Sequence, residues 1–231
     1  AAISIFFFLF NKCRSILRRS SFSVFVVVFI CHIINEETIN RYNIIKNGLP
    51  QGYDIIFCSP TPVKFGDNEL VIIENFICLN LTNWSWKHST NLGRNELCYI
   101  NVYNIYPKYN NYYFIEYDVM FNKQNSSDKW NSFFNKYNEM DIDLLCSHYN
   151  KYNVLYSKTM WTPNFLYEVE KNINTDMLYF GFLPICMISN RLLNDIKCYY
   201  NNNSNSFFEY LIPSLATYKK YNIYSINKDY I

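Results

Sequence analysis

Glu116 and Asp118 close an apolar, aromatic run, Tyr112-Tyr113-Phe114-Ile115-Glu116-Tyr117-Asp118-Val119. A short run of this kind reads as a buried strand. Side chains alternate along a strand, so both carboxylates point to the same side, about 6.6 Å apart along the chain. Desolvating an unpaired acid is costly. Two acids at the carboxyl end of a buried strand therefore suit a divalent cation, or a ligand reached through one. Hard oxygen donors match Mg²⁺ or Mn²⁺, which are often held by one or two carboxylates together with substrate phosphates. A strand that simply ends in a solvated turn accounts for the same two residues.

Four further residues carry chemistry of a related kind. Gly93 and Arg94 fall near the N-terminus of a helical stretch over 91–106, and a helix start beside an arginine suits a phosphate. An arginine on a solvated surface explains that placement equally. His148 follows the strand-like Asp143-Leu-Leu-Cys-Ser147, at the end of the strand where ligands gather in open α/β sheets. Glu209 falls in the first turn of a helix that opens at Ser206, where an acid also complements the helix dipole. The eight cysteines form no CxxC pair and no Cys/His cluster at metal spacing, which argues against zinc. Cys31, Cys58, Cys78 and Cys186 sit in or beside apolar runs and read as small buried thiols of a reducing compartment.

The elements that must position these residues follow an alternating pattern. Phe22 to Ile34 is β-branched and aromatic throughout, as expected of a strand buried on both faces of a parallel sheet. Asn35 can cap the next helix, with Glu36 and Glu37 in its first turn. Ile39, Tyr42, Ile45 and Leu49 form its apolar stripe, and Gly48 and Pro50 end it. Tyr53 to Cys58 is the second strand, so the chain opens with a βαβ unit whose strands are parallel. A strand is expected within Leu70 to Leu81, and Trp84, Trp86 and His88 fall in a polar loop. The helix over 91–106 places Leu97, Ile100 and Tyr103 on one face. Trp130 to Tyr137 reads as a short helix. Tyr149 to Lys171 is irregular and carries Trp161. Met177 to Ser189 reads as a strand interrupted by Gly181 and Pro184. Helices over 190–200 and 206–218 and a closing strand at Ile223 to Ile226 complete the pattern.

The chain has 231 residues and a formal net charge of +2. That length suits one α/β domain, and the balanced charge gives no sign of a nucleic-acid partner. Residues 1–20 read as an N-terminal extension, either an untidy one or the remnant of an anchor or signal segment, ahead of a domain over 21–231. The chain starts at Ala1, as a fragment or processed chain would. Ile3 to Phe10 is far shorter than the ~20 apolar residues of a spanning helix. Lys12, Arg14, Arg18 and Arg19 behind it could touch a membrane surface. The Asn-x-Ser/Thr triplets at Asn80, Asn83, Asn125 and Asn202 are expected by chance in so asparagine-rich a chain.

Several stretches, in order, resemble a family of uncharacterised bacterial glycosyltransferase-like proteins with the GT-A nucleotide-diphospho-sugar transferase fold. They are Asn35-Glu-Glu-Thr38, Asn91-Leu-Gly-Arg94, Phe114-Ile-Glu-Tyr-Asp-Val119, Trp130-Asn-Ser-Phe-Phe134, Asp143-Leu-Leu-Cys-Ser-His148, Phe182-Leu-Pro-Ile-Cys-Met-Ile-Ser-Asn-Arg191 and Phe208-Glu-Tyr-Leu-Ile-Pro213. The resemblance implies a single GT-A-like α/β domain, with an open, mostly parallel central sheet and helices on both faces. It implies a metal-assisted glycosyltransferase that takes a nucleotide-sugar donor and a glycan, lipid or protein acceptor. Glu116 and Asp118 then stand where the family carries its DxD motif, with Mn²⁺ or Mg²⁺ as cofactor. Glu in place of the first Asp is a departure. Gly93, Arg94, Trp130 and His148 fall to donor binding, and Glu209 to the base that deprotonates the acceptor hydroxyl. An inactive binding or scaffold protein on the same fold is the alternative. The cysteine usage points to the cytoplasm, with membrane association through the basic N-terminal segment.

Overall fold

The computed structural model describes residues 25–60, 64–65, 69–70, 76–78, 95–121, 125–151, 178–202, 208–227 and 230. It forms an α/β domain around a seven-stranded sheet. The strands are β1 (Phe25–Ile30), β2 (Tyr53–Ser59), β5 (Phe76–Cys78), β6 (Asn111–Glu116), β7 (Leu144–Lys151), β8 (Tyr179–Ser189) and β9 (Ile223–Ser225). A separate small ribbon pairs β3 (Lys64–Phe65) with β4 (Glu69–Leu70). The order across the large sheet is β5-β2-β1-β6-β8-β7-β9. β5, β2, β1 and β6 run parallel. β8 is antiparallel to both β6 and β7, and β9 returns parallel to β7.

Five helices cover the sheet among the described residues: α1 (Glu36–Asn47), α2 (Asn95–Ile105), α3 (Ser127–Asn138), α4 (Asn190–Asn202) and α5 (Phe208–Tyr218). The strand alternation sorts the core into two layers. Val26, Val28 and Ile30 of β1, with Tyr112 and Phe114 of β6, pack under α2, α4 and α5. Val27 and Phe29, with Tyr113 and Ile115, pack under α1 and α3. A strand buried on both faces needs apolar residues at every position. The run FVVVFI has them, and burying each large side chain contributes about 1.5–3 kcal/mol.

The helix boundaries have local causes. Asn35 caps α1 by accepting from the Thr38 N–H at 2.9 Å, and the Asn35 N–H in turn donates to the Thr38 hydroxyl oxygen at 3.0 Å. This is a capping box with Thr in the third position. Gly48 follows α1 with φ −91°, so no left-handed turn requires glycine there. The need is space: a Cβ would lie 2.8 Å from the Trp130 Cβ and collide with the Ser127 carbonyl oxygen. Gly48 thus lets α1 and α3 approach closely.

Three expectations are corrected. The buried face of α2 is Cys98, Tyr99 and Val102, rotated one step from Leu97, Ile100 and Tyr103, of which Ile100 and Tyr103 pack only at the margin. α3 begins at Ser127, three residues before the expected Trp130, because the Ser126 hydroxyl caps it. β8 is continuous through Gly181 and Pro184. Gly181 is required because a Cβ would sit 2.9 Å from Pro213 Cγ on α5 and 3.0 Å from Cys146 Sγ on β7. Pro184 is tolerated because the ladders on both its sides have already parted.

Candidate functional site

In sheet order β1 lies between β2 and β6. The chain leaves β1 through α1 toward β2 and comes back through α2 to β6, with α1 and α2 on opposite faces. The carboxyl ends of β1 and β6 therefore meet at a topological switch point, where open α/β sheets bind ligands. Glu116 is the last residue of β6, level with Ile30 of β1. The Tyr117 N–H donates to the Ile30 carbonyl at 2.9 Å, and the Val119 N–H donates to the Glu116 carbonyl at 3.1 Å. That turn carries Asp118 past the strand end.

A cavity of about 410 Å³ opens there, with Glu116, Asp118, Ser147, Phe182 and Glu209 among its lining residues. Breaks in two ladders make room for it. The β6–β8 pairing stops at Ile115 opposite Ile185. One more step would set Glu116 against Pro184, which has no N–H to give. Between Leu145↔Met187 and Ser147↔Phe182 the ladder advances two residues on β7 and five on β8. The extra β8 residues bulge. Freed from the ladder, the Leu183 N–H donates to Glu209 Oε1 at 3.4 Å. This bond holds a side chain of α5 at the gap.

The charges interact. Glu209 is pushed up to about 7, first by burial and further by the charge of Glu116, against the pull of the Leu183 N–H. Its carboxyl therefore changes charge near neutrality, the range that suits a general base. Beside Asp118, the His32 ring stands edge-on to Tyr117 at 4.7 Å between centroids. Burial lowers the pKa of His32, and the charge of Asp118 opposes that. Arg41 of α1 donates to the Tyr117 carbonyl at 3.0 Å, which ties α1 to the same turn.

The fold thus brings Glu116, Asp118 and Glu209 to one cavity, although Glu209 is 91 positions from Asp118 in sequence. His148 is not among its lining residues: β7 runs on to Lys151, so His148 lies within that strand rather than at its end, exposed, with its ring 6.2 Å from that of Phe182. Trp130 does not join them. Its side chain is fully buried against Phe121 and Phe134, and its indole N–H donates to Asn125 Oδ1 at 2.7 Å. The assignment of Trp130 to donor binding is corrected to the core: α3 is amphipathic, and Trp130, Phe133, Phe134 and Tyr137 form its inward stripe. Gly93 and Arg94 lie outside the described residues, as do Trp84, Trp86, His88 and Trp161. Sequence reasoning missed Ser147, Phe182 and Met120 as cavity residues. The Gly181-x-x-Pro184 spacing in an otherwise apolar strand was the available signal for a bulge.

The cavity suits hard-cation chemistry in its donor set: Glu116 and Asp118 offer carboxylate oxygens, and none of its lining residues is basic. No group of three or more His, Cys, Asp or Glu placed to hold a metal occurs among the described residues. Nor is any described helix long and apolar enough to cross a membrane.

No family model matches the chain, and no curated protein matches it. Among solved structures, a glycosyltransferase involved in the glycosylation of the major capsid of PBCV-1 is similar over 87% of this chain and 81% of its own, at 11% identity and a TM-score of 0.43. A likeness at that level carries no argument about activity. The chain itself is an α/β domain with a mostly parallel sheet, helices on both faces, and an acid-lined cavity at the end of its central strands.

Proposed function

We propose that the protein is a glycosyltransferase that moves a sugar from a nucleotide-diphosphate sugar to a hydroxyl of a glycan, lipid or protein acceptor. The observation that supports this best is the meeting of Glu116, Asp118 and Glu209 on one cavity at the carboxyl end of β6. Glu116 and Asp118 would hold Mn²⁺ or Mg²⁺. When bound, the ion supplies Lewis-acid stabilisation of the negative charge that develops on the diphosphate leaving group.

The chain's own groups do the rest. Glu209, in its ionised form, takes the proton of the acceptor hydroxyl as that oxygen attacks the sugar. The Leu183 N–H keeps one oxygen of Glu209 occupied, leaving the other to face the hydroxyl. The β6 turn fixes Asp118 relative to Glu116 through two backbone hydrogen bonds. Gly93 and Arg94, ahead of α2, are proposed for the donor phosphates.

Calorimetric titration of UDP and GDP, with and without Mn²⁺, tests the reading. Metal-dependent binding to the wild type that is lost in Asp118→Ala is the expected result. Equal binding by both proteins would overturn the role of Asp118. Glu116, standing where the family has Asp, favours a second reading: a binding protein that has lost transfer. Slow hydrolysis of a sugar nucleotide without acceptor would exclude it.

A further inference from the structure

The cavity is lined by two unlike sets of side chains. Glu116, Asp118 and Glu209 are acids, whereas Met120, Phe182 and Pro184 are apolar. Phe182 is 43% exposed and Met120 54% exposed, while Gly181 and Leu183, flanking Phe182, are buried. An exposed large apolar group beside a cavity asks for an explanation that a scattered surface residue does not.

Two independent features present the Phe182 ring. The Ser147 hydroxyl donates to the Phe182 carbonyl at 3.0 Å, which pins its backbone. His148 takes φ +55°, a left-handed conformation that non-glycine residues rarely adopt and that persists where the surroundings impose it. In that conformation its ring stands at 76° to the Phe182 ring. The aromatic face is thereby propped at the cavity rather than folded into the core.

We infer that Phe182, with Met120 and Pro184, forms a platform for the apolar C–H face of a sugar ring whose hydroxyls donate to the cavity carboxylates. Ionised carboxylates only accept hydrogen bonds, and a sugar is rich in donors. Without a bridging cation, an anionic ligand would meet three acids. A wholly apolar one would desolvate those acids without giving them partners. A neutral polyol with an apolar face satisfies both sets. Assigning this sugar to the acceptor, rather than to some other role, rests on the transferase reading.

The test uses the full chain with ¹³C-methyl-labelled methionine. The methyl glycosides of glucose, galactose, mannose and N-acetylglucosamine are titrated in while the Met120 methyl signal is followed by NMR. A saturable shift with at least one glycoside is expected, weakened at least ~10-fold in Phe182→Ala and retained in Phe182→Tyr, which keeps the ring face. Absence of a shift with every glycoside would overturn the platform, as would an equal shift with cyclohexanol, which has an apolar face and a single hydroxyl. Glycoside binding in a protein without hydrolytic activity would support the platform and count against the transferase reading alone.

Discussion

The surroundings of Glu209 and Asp143 shift these two acids in opposite directions. Proton removal by Glu209 needs its ionised form, and burial, aided by the charge of Glu116, pushes its carboxyl up to about 7. The transfer rate is therefore expected to rise with pH through that value. Glu209→Gln should lower the rate by ~10²-fold or more and abolish that limb, while Mn²⁺-dependent UDP binding is retained. A pH–rate profile with an unchanged limb in the variant would remove Glu209 from the role. Asp143 is shifted the other way. Burial works to raise its pKa, but hydrogen bonds from Arg191, Ser189 and the Asn222 N–H outweigh it and hold the carboxyl below its ordinary value. A depressed carboxylate adds stability above its unfolded-state pKa and loses it as pH falls through the folded value. Asp143→Ala should cost about 2 kcal/mol at neutral pH, within the range for hydrogen bonds to a charged group. The difference from wild type should shrink under acid, as urea melts at both pH values would show.

Among the elements, β8 decides whether the cavity exists. Its bulge lies where Gly181 lets α5 settle against β7 and where Pro184 has no N–H for β6. Gly181→Ala places a methyl 2.9 Å from Pro213 Cγ and 3.0 Å from Cys146 Sγ. Overpacking of this kind should cost about 1–3 kcal/mol. Because the displaced helix carries Glu209, transfer should fall further than stability alone accounts for, which parallel thermal melts and rate measurements would reveal. α3 has the opposite character. Trp130→Ala should cost about 3–5 kcal/mol through the cavity it leaves, yet leave the Kd of Mn²⁺–UDP unchanged in the folded fraction. A selective loss of UDP affinity would return Trp130 to the donor site.

The whole molecule is built outward from β1 and β6. Both are paired on two sides and packed beneath helices on both faces, so their amides can open only when most of the domain does. Hydrogen exchange is expected to be slowest at residues 26–30 and 112–115, with protection close to the global unfolding free energy. Faster exchange is expected in β9, which pairs over three residues at the edge. If β9 outlasted β1, the core would not be centred as described. The acid pair sits where these two central strands end.

The chain's order of elements was legible in its residues wherever local patterning governs. The uninterrupted apolar run of β1, the Asn35 cap, the acid-ended β6 and the helix from Asn190 are all written in neighbouring side chains. Strand period predicted a common side for Glu116 and Asp118, but β6 ends at Glu116 and it is a turn that carries Asp118 to the same cavity. The continuity of β8 was not legible in this way, because Gly and Pro read as breaks until the close approach of α5 and the ending of two ladders supply the reasons for them. Nor could Trp130 be sorted between core and ligand, since an aromatic residue suits both and only packing chooses. The meeting of Glu209 with Glu116, and the exposure of Phe182 beside them, belong to tertiary structure. They depend on a bulge that brings α5 to the end of β6, and a contact between distant segments leaves no mark in the spacing of either.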